Sequence, residues 1–448
     1  MKQVKNRAAF VLVLTLLLFG GTVLFCVRYM TQGDSWAAFS ANQHAYKDGA
    51  IAAGTIYDRN GTLLFDSATS SYHEESLIRK STLHAVGDRE KNIATSALSV
   101  FSRHLAGFSP VTGTTTGGHD LYLSIDAQLN AKAYKLLDGR KGTVGIYNYK
   151  TGEVVCMVSA PAFDPANPPE IKEGSTKYEG VYLNRLLSST FTPGSIFKIV
   201  TTAAAIENID DLFTRSFTCS GSITIGSDTI TCPHAHGDMD IYGAFANSCN
   251  GVYAQLATEL GGEVLAEYAE KCGLLSSYDI SGISTAAGSF DIAEGSDLGW
   301  SGVGQYHDAV NPCSMMVFMG TVANGGSAKL PLLIEKETTS SGIPAGVHRA
   351  SSVSCRLADE TCALLVEMMA NNVASQYGQE NFGDLLICAK SGTAEVGSDA
   401  APHSWFTGFL NDPQNPYAFV VLVENGGSGS KVAGSIASTL LQMLTAAE

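Results

Sequence analysis

The chain has 448 residues, 45% hydrophobic and 16% charged, enough for one large domain with its own core plus a smaller one, and too apolar for a disordered or fibrous protein. The formal net charge of −15 argues against a nucleic-acid partner, since phosphate backbones are held by clustered Lys and Arg and no basic patch follows the first few residues.

From Ala8 to Val27 the sequence AAFVLVLTLLLFGGTVLFCV is uncharged. At about 1.5 Å per residue, roughly 20 such residues cross a bilayer core of about 30 Å, so one transmembrane helix is expected. Lys2, Lys5 and Arg7 precede it, which keeps the amino end cytoplasmic and puts residues from about Met30 onward outside. A cleaved signal peptide would have a shorter apolar run ending at small residues, which Phe25, Cys26 and Val27 do not provide.

GTIYDRNGTLLFDS follows a polar stretch, and its two apolar runs around Asp58-Arg59-Asn60-Gly61 predict a hairpin, because Asn-Gly supplies the positive φ angles of a tight primed turn. SPVTGTTTGGHD, from Ser109 to Asp120, has the composition of a linker. The expected organisation is a cytoplasmic tip and anchor over 1–29, a small membrane-proximal domain over 30–112, a linker over 113–120 and a large domain over 121–448.

LYLSIDAQLNAKAYKLL opens the large domain, with Asp126 capping a helix that buries Leu129, Ala133 and Leu136. TVGIYNYKTGEVVCMVS turns at Lys150-Thr151-Gly152 and predicts a hairpin at the centre of a sheet. Matching strands come from the far end, in LLICAKSGTAEV, HSWFTGFL and YAFVVLVENG, before an amphipathic helix in VAGSIASTLLQMLTA. GGSGS at Gly426 to Ser430 is a turn before that helix, with no following Gly-Lys-Thr to make a phosphate loop. The expected class is α/β (α+β), an antiparallel five-stranded sheet closed by sequence-distant strands, with a helical lobe beside it and the ligand cleft between them.

Ten cysteines are scattered without the density of a disulfide-stapled scaffold. Cys219 and Cys232 flank SGSITIGSDTIT, a predicted hairpin turning at Gly226, and are expected to form a disulfide. The weaker alternative is a zinc site adding His234 and His236, whose spacing matches no standard finger. The other cysteines, Cys249 and Cys388 among them, read as small packed hydrophobes.

The chemistry centres on Phe191-Thr192-Pro193-Gly194-Ser195-Ile196-Phe197-Lys198, ahead of the helix-forming run IVTTAAAIEN. Pro193 and Gly194 break the preceding structure, so Ser195 falls at or beside a helix amino end, with Lys198 one turn on and within reach of its hydroxyl. The free N–H groups there favour negative charge on a reacting oxygen, and desolvation beside Ile196, Phe197 and Ile199 lowers the lysine pKa enough for it to act as a base. Ser-x-x-Lys alone is a weak signal. It gains weight from Ser248-Cys249-Asn250 and Lys390-Ser391-Gly392-Thr393 in the same order, the triple of penicillin-binding proteins and class A β-lactamases. Gly392 is expected to let an extended peptide substrate come close to its strand.

On these motifs the chain resembles the class B penicillin-binding transpeptidases from about Gly54 to Glu448. GTIYDRNGTLL, LYLSIDAQL, Gly302-Val303-Gly304-Gln305, NPCSMMVFMGTVANGG and PHSWFTGF are similar to stretches of that family. Ser391 stands where threonine is common, and the membrane-proximal part is short. The resemblance implies a penicillin-binding/β-lactamase-like fold and attack by Ser195 on the penultimate D-Ala of a stem peptide. Lys198 would be the base, Ser248 the proton relay to the leaving amine, and Asn250 a hydrogen-bond partner of the donor peptide. Lys390, Ser391 and Thr393 would bind the terminal carboxylate, and the N–H groups of Ser195 and Thr393 would form the oxyanion hole. It implies no metal or organic cofactor; the implied partners are stem peptides, β-lactams and a membrane glycan polymerase. A D,D-carboxypeptidase, a β-lactamase and a largely scaffolding partner of a polymerase are the alternatives. His403 and Trp405 alternate on one strand and read as structural.

Overall fold

The computed structural model describes residues 2–37, 54–106, 108–109, 114–115, 118–172, 174–226, 228–397 and 400–446. The N-terminal helix Lys2–Ala37 is longer than the apolar run, and its segment Val4–Met30 is long and apolar enough to cross a membrane. Within the expected linker over 113–120, residues 113, 116 and 117 lie outside the described residues; Thr114–Thr115 pairs with Phe108–Ser109, and His119 and Asp120 begin a strand.

That strand, His119–Leu123, sits inside a six-stranded sheet. It runs parallel to Thr55–Tyr57 and antiparallel to Ile334–Thr339, so the sheet takes strands from both sides of residue 121. A hairpin forms at Asn60-Gly61 and joins Thr55–Tyr57 to Leu63–Asp66, but it is not the tight primed turn expected: only Gly61 takes a positive φ, +82°, and the loop from Asp58 to Thr62 is longer, with a register shift beside it. Asp58 organises it. Its carboxylate, 1% exposed, accepts the backbone N–H groups of Asn60 at 2.9 Å and Thr62 at 2.7 Å, and that of Ala127 at 3.0 Å. Ala127 opens the helix Ala127–Leu137, where Asp126 caps the N–H of Leu129 at 2.8 Å. One buried carboxylate thus ties the first hairpin to the first helix of the large domain. That helix buries Leu129, Ala133 and Leu137, and Leu136 is only partly covered.

The second sheet carries the function. Its order is Ile387–Ala394, His403–Leu410, Tyr417–Val423, Gly142–Asn148 and Val154–Ala160, every pair antiparallel. The Lys150-Thr151-Gly152 hairpin forms, but its second strand is an edge and Tyr417–Val423 is the centre; the three C-terminal strands extend the sheet from the other side of Gly142–Asn148. Every residue of Tyr417–Val423 is buried, which requires cover on both faces. Alternation divides them. Ala418, Val420 and Leu422 join the core shared with the buried helices Lys198–Asn208 and Pro312–Ala323, while Phe419, Val421 and Val423 pack with Leu129, Leu440 and Leu441 of the two helices behind.

The hairpin turning at Gly226 also forms, Ser222–Ile225 against Asp228–Thr231. The expected Cys219–Cys232 disulfide is not made: the two Sγ atoms stand 3.8 Å apart as free thiols, against about 2.05 Å for a bond. Cys219 belongs to a different ladder, opposite Gly237, so the inner hairpin brings the two cysteines near without facing them at bonding distance.

Candidate active site

Ser195 sits on a short 3-10 turn, Gly194–Ile196, leading directly into the helix Lys198–Asn208. Gly194 takes φ +56°, a left-handed value that favours glycine. The turn is held from several sides. Gly194 N–H donates to Gly304 O at 2.7 Å, Phe191 and Val310 exchange backbone bonds at 3.0 and 2.9 Å, and the Trp405 indole donates to Thr192 O at 3.0 Å. A Cβ on Gly304 would come 2.0 Å from the Gly194 carbonyl oxygen, which gives the Gly302–Gln305 segment its need for glycine there.

Lys198 is fully buried one turn beyond Ser195. Its Nζ donates to Ser248 O at 2.7 Å, Asn250 Oδ1 at 2.7 Å and Ser248 Oγ at 3.2 Å. Burial, reinforced by the nearby positive charge of Lys390, holds its pKa well below the ordinary lysine value. Two of the three partners are pure acceptors, a carbonyl and an amide oxygen, and a neutral amine has two N–H groups to give them. Its lone pair is then left to take a proton from a hydroxyl, which is the requirement for a base acting on serine.

Ser248 adopts φ +52°, a strained value for a residue with a side chain, at the bend between the helices Ile241–Ala246 and Asn250–Leu260. Its hydroxyl receives Lys390 Nζ at 3.1 Å as well as Lys198, so one oxygen joins the first and third motifs. Burial lowers the Lys390 pKa to about 7. Lys390 also donates to Ser391 O at 3.1 Å. Its strand, Ile387–Ala394, is the sheet edge facing the cleft, with Ser391 half-exposed and Thr393 exposed. A Cβ at Gly194 would come 2.9 Å from Thr393 O, so the nucleophile turn abuts this strand.

The structure therefore joins Lys198, Asn250 and Lys390 at Ser248, sets the Ser195 turn against the strand that carries Ser391, Gly392 and Thr393, and adds a packing reason for the glycine at 392. A Cβ there would meet Pro193 O at 2.9 Å, Ile196 Cγ2 at 3.0 Å and Trp405 Cβ at 3.2 Å. The glycine makes room for the nucleophile turn. His403 accepts from Asn425 N–H at 3.1 Å and meets Phe191 edge-on, a structural placement.

One contributor escaped the sequence reading. Tyr377, in a wide helical turn Val373–Tyr377, accepts Ser391 N–H at 2.8 Å, donates to Ser391 Oγ at 3.0 Å and receives Asn372 Nδ2 at 3.1 Å. Nothing local marks it, because its target is a strand reached only through the tertiary fold. The cleft residues offer amines, hydroxyls and one amide, which suits acyl transfer and not metal coordination.

Residues 142–442 match the family model of the penicillin binding protein transpeptidase domain. Peptidoglycan D,D-transpeptidase PbpA of Mycolicibacterium smegmatis is 29% identical over 375 residues, 76% of this chain and 74% of that protein. Peptidoglycan D,D-transpeptidase MrdA of Acinetobacter baumannii is 24% identical over 382 residues, 77% of this chain and 56% of that protein. Among solved structures, PBPA from Mycobacterium tuberculosis superposes with a TM-score of 0.76 at 22% identity, covering 88% of this chain and 99% of that one. Its penicillin G acyl-enzyme complex gives 0.74 at 22% identity and the same coverage.

Proposed function

The chain belongs to the penicillin-binding protein transpeptidase family and is a serine-type peptidoglycan D,D-transpeptidase, for which we propose the following assignment of roles. Ser195 Oγ attacks the carbonyl of the penultimate D-Ala of a stem peptide while neutral Lys198 takes its proton. The tetrahedral oxyanion lies against the N–H groups of Ser195 and Thr393. Ser248 passes a proton to the departing D-Ala amine and is resupplied through the lysines that share its hydroxyl. The ester on Ser195 is then opened by an amine of a neighbouring stem, which completes the cross-link. Asn250 holds the donor peptide, and Lys390, Ser391 and Thr393 hold its terminal carboxylate. β-Lactams enter the same cleft and acylate the same serine.

The observation that carries this reading is the Lys198 environment: two pure acceptors and a hydroxyl around a fully buried amine one turn from a half-exposed serine. Intact-mass spectrometry after incubation with penicillin tests it. One adduct mapping to Ser195, absent from Ser195→Ala, is expected; an adduct on the variant or on another serine overturns the assignment. Products from a donor stem peptide with and without an acceptor amine separate transpeptidation from hydrolysis.

For the placement of the enzyme, we read Lys2–Ala37 as a single-pass anchor with the cleft outside the cell. The asymmetry of Lys2, Lys5 and Arg7 ahead of the apolar span supports that orientation. The part over 30–112 then acts as a spacer that holds the large domain, 121–448, off the membrane, and together with the helix offers a surface to a membrane glycan polymerase.

A further inference from the structure

Cys249, the middle residue of the second motif, is fully buried and directs its Sγ to within 3.8 Å of Cys232 Sγ. Cys232 Sγ is 3.8 Å from Cys219 Sγ, and Cys219 Sγ is 3.3 Å from His236 Nδ1. The four donor atoms all lie within 4.8 Å of one another. Two nested ladders make this cluster. Cys219 pairs with Gly237, the neighbour of His236, while the inner hairpin returns Cys232 to hydrogen-bond Gly221 O at 2.9 Å. The helix bend after Ala246 then brings in Cys249.

The three contacts at 3.8, 3.8 and 3.3 Å match edges of a tetrahedron around one ion. Ligands at about 2.3 Å for sulfur and about 2.0 Å for nitrogen around one zinc ion stand about 3.8 Å apart for two sulfurs and about 3.5 Å for sulfur and nitrogen. A disulfide would need about 2.05 Å between one pair and would leave the third thiol idle. The donors are soft, three thiols and an imidazole, which is the preference of zinc over the hard cations. Gly251 N–H donates to Cys232 Sγ at 3.5 Å, a backbone dipole that favours the thiolate.

We propose that Cys219, Cys232, His236 and Cys249 bind one zinc ion as a closed four-coordinate structural site. Binding releases the three thiol protons to solvent, and no coordination position is left for water or substrate. His234, weighed as a ligand on spacing, is exposed and lies against the His236 ring at 4.5 Å with the two planes tilted by 58°; Cys249 takes its place. The site bears on the catalytic cleft because Cys249 lies between Ser248 and Asn250. Asn250 Nδ2 also donates at 2.8 Å to the carbonyl of Thr231, the residue before Cys232. The ion braces the strained Ser248 backbone and the Asn250 side chain from behind.

The test uses the full-length protein purified in detergent without chelator or added metal. Elemental mass spectrometry is expected to find about one zinc ion per chain, lowered in Cys219→Ser and in His236→Ala. Because those variants can lose fold as well as metal, wild-type protein stripped with a chelator and given cobalt supplies a second reading. A thiolate-to-cobalt charge-transfer band with tetrahedral d–d absorption is expected. Zinc-free protein whose stripped form gives no such band, or a Cys219–Cys232 disulfide found by non-reducing peptide mapping, overturns the site. Penicillin acylation that slows severalfold on stripping and recovers with zinc is expected from the brace; a rate indifferent to the metal overturns that role.

Discussion

Lys198 and Lys390 meet at one atom: the Ser248 hydroxyl lies 3.2 Å from the first Nζ and 3.1 Å from the second. Two buried amines converging on one neutral oxygen cannot both be charged at low cost, and each is held below the ordinary lysine range, chiefly by burial. The roles proposed above divide the two, with a neutral Lys198 taking the serine proton and a charged Lys390 holding the substrate carboxylate.

Lys198→Arg is therefore expected to be nearly as damaging as Lys198→Ala, since arginine keeps a charge but cannot release its proton near neutral pH. Both should slow penicillin acylation by roughly 10²- to 10⁴-fold, the usual worth of a positioned base. Stopped-flow acylation with a chromogenic β-lactam checks this. An Arg variant within about tenfold of the parent, under about 1.4 kcal/mol of barrier, would make Lys198 a purely electrostatic element.

The Lys390 value of about 7 predicts a falling limb in the pH profile of acylation. As pH rises through that value Lys390 loses its proton, and with it the attraction for a carboxylate, so the second-order rate declines. Lys390→Arg retains the charge and should remove that limb while lowering the overall rate. A limb that persists unchanged in the variant assigns the titration to another group.

Much of this site was legible because its chemistry is local. Ser195 and Lys198 are one turn apart, so spacing puts them on a common face, whereas Ser248 and Asn250 came from the motif order and reach Lys198 through the bend at Ser248. The strands of the central sheet were legible from composition, yet their order was not: the edge position of Val154–Ala160 depends on the pairing of Tyr417–Val423 with the other side of Gly142–Asn148, which no local pattern records. Tyr377 acts on Ser391, a strand residue it reaches only through the tertiary fold. Cys219 shows the same limit from the other side. The hairpin was correctly read, but the second ladder, from residues 237–239, decided what the thiol faces.

Gly392→Ala separates two explanations for a glycine in the third motif. If the space serves substrate approach, a small β-lactam should tolerate the methyl better than an extended stem peptide. The structure instead puts the methyl 2.9 Å from Pro193 O and 3.0 Å from Ile196 Cγ2, flanking the nucleophile. Acylation by benzylpenicillin and by a thioester peptide analogue should thus fall together, by on the order of 10²-fold, as expected for a misplacement of about 1 Å. Selective loss with the peptide alone would restore the substrate-approach reading.

Glu337 lies in the strand Ile334–Thr339, its side chain 3% exposed, and faces a histidine from each of three directions. His104 from the helix Ser102–Ala106 is at 3.0 Å, His348 beyond the strand Pro344–Gly346 is at 3.1 Å, and His119 comes from the neighbouring strand. Burial works to raise the Glu337 pKa, but the hydrogen bonds from His104, His348 and His119 outweigh it and hold the carboxyl well below the usual range. A carboxyl depressed in the folded state binds its proton more readily when unfolded, so its contribution is present above the ordinary value of 4.5 and is lost as pH falls below it toward the folded value. Thermal melts of the wild type should therefore drop steeply below about pH 4.5, and Glu337→Gln, which has no proton to gain, should melt lower at neutral pH and show a shallower acid decline. Because the sheet takes strands from both sides of residue 121, the loss should appear as one cooperative transition that includes the large domain. Parallel acid profiles for the two proteins would show that the three histidines do not depress Glu337 as the geometry requires.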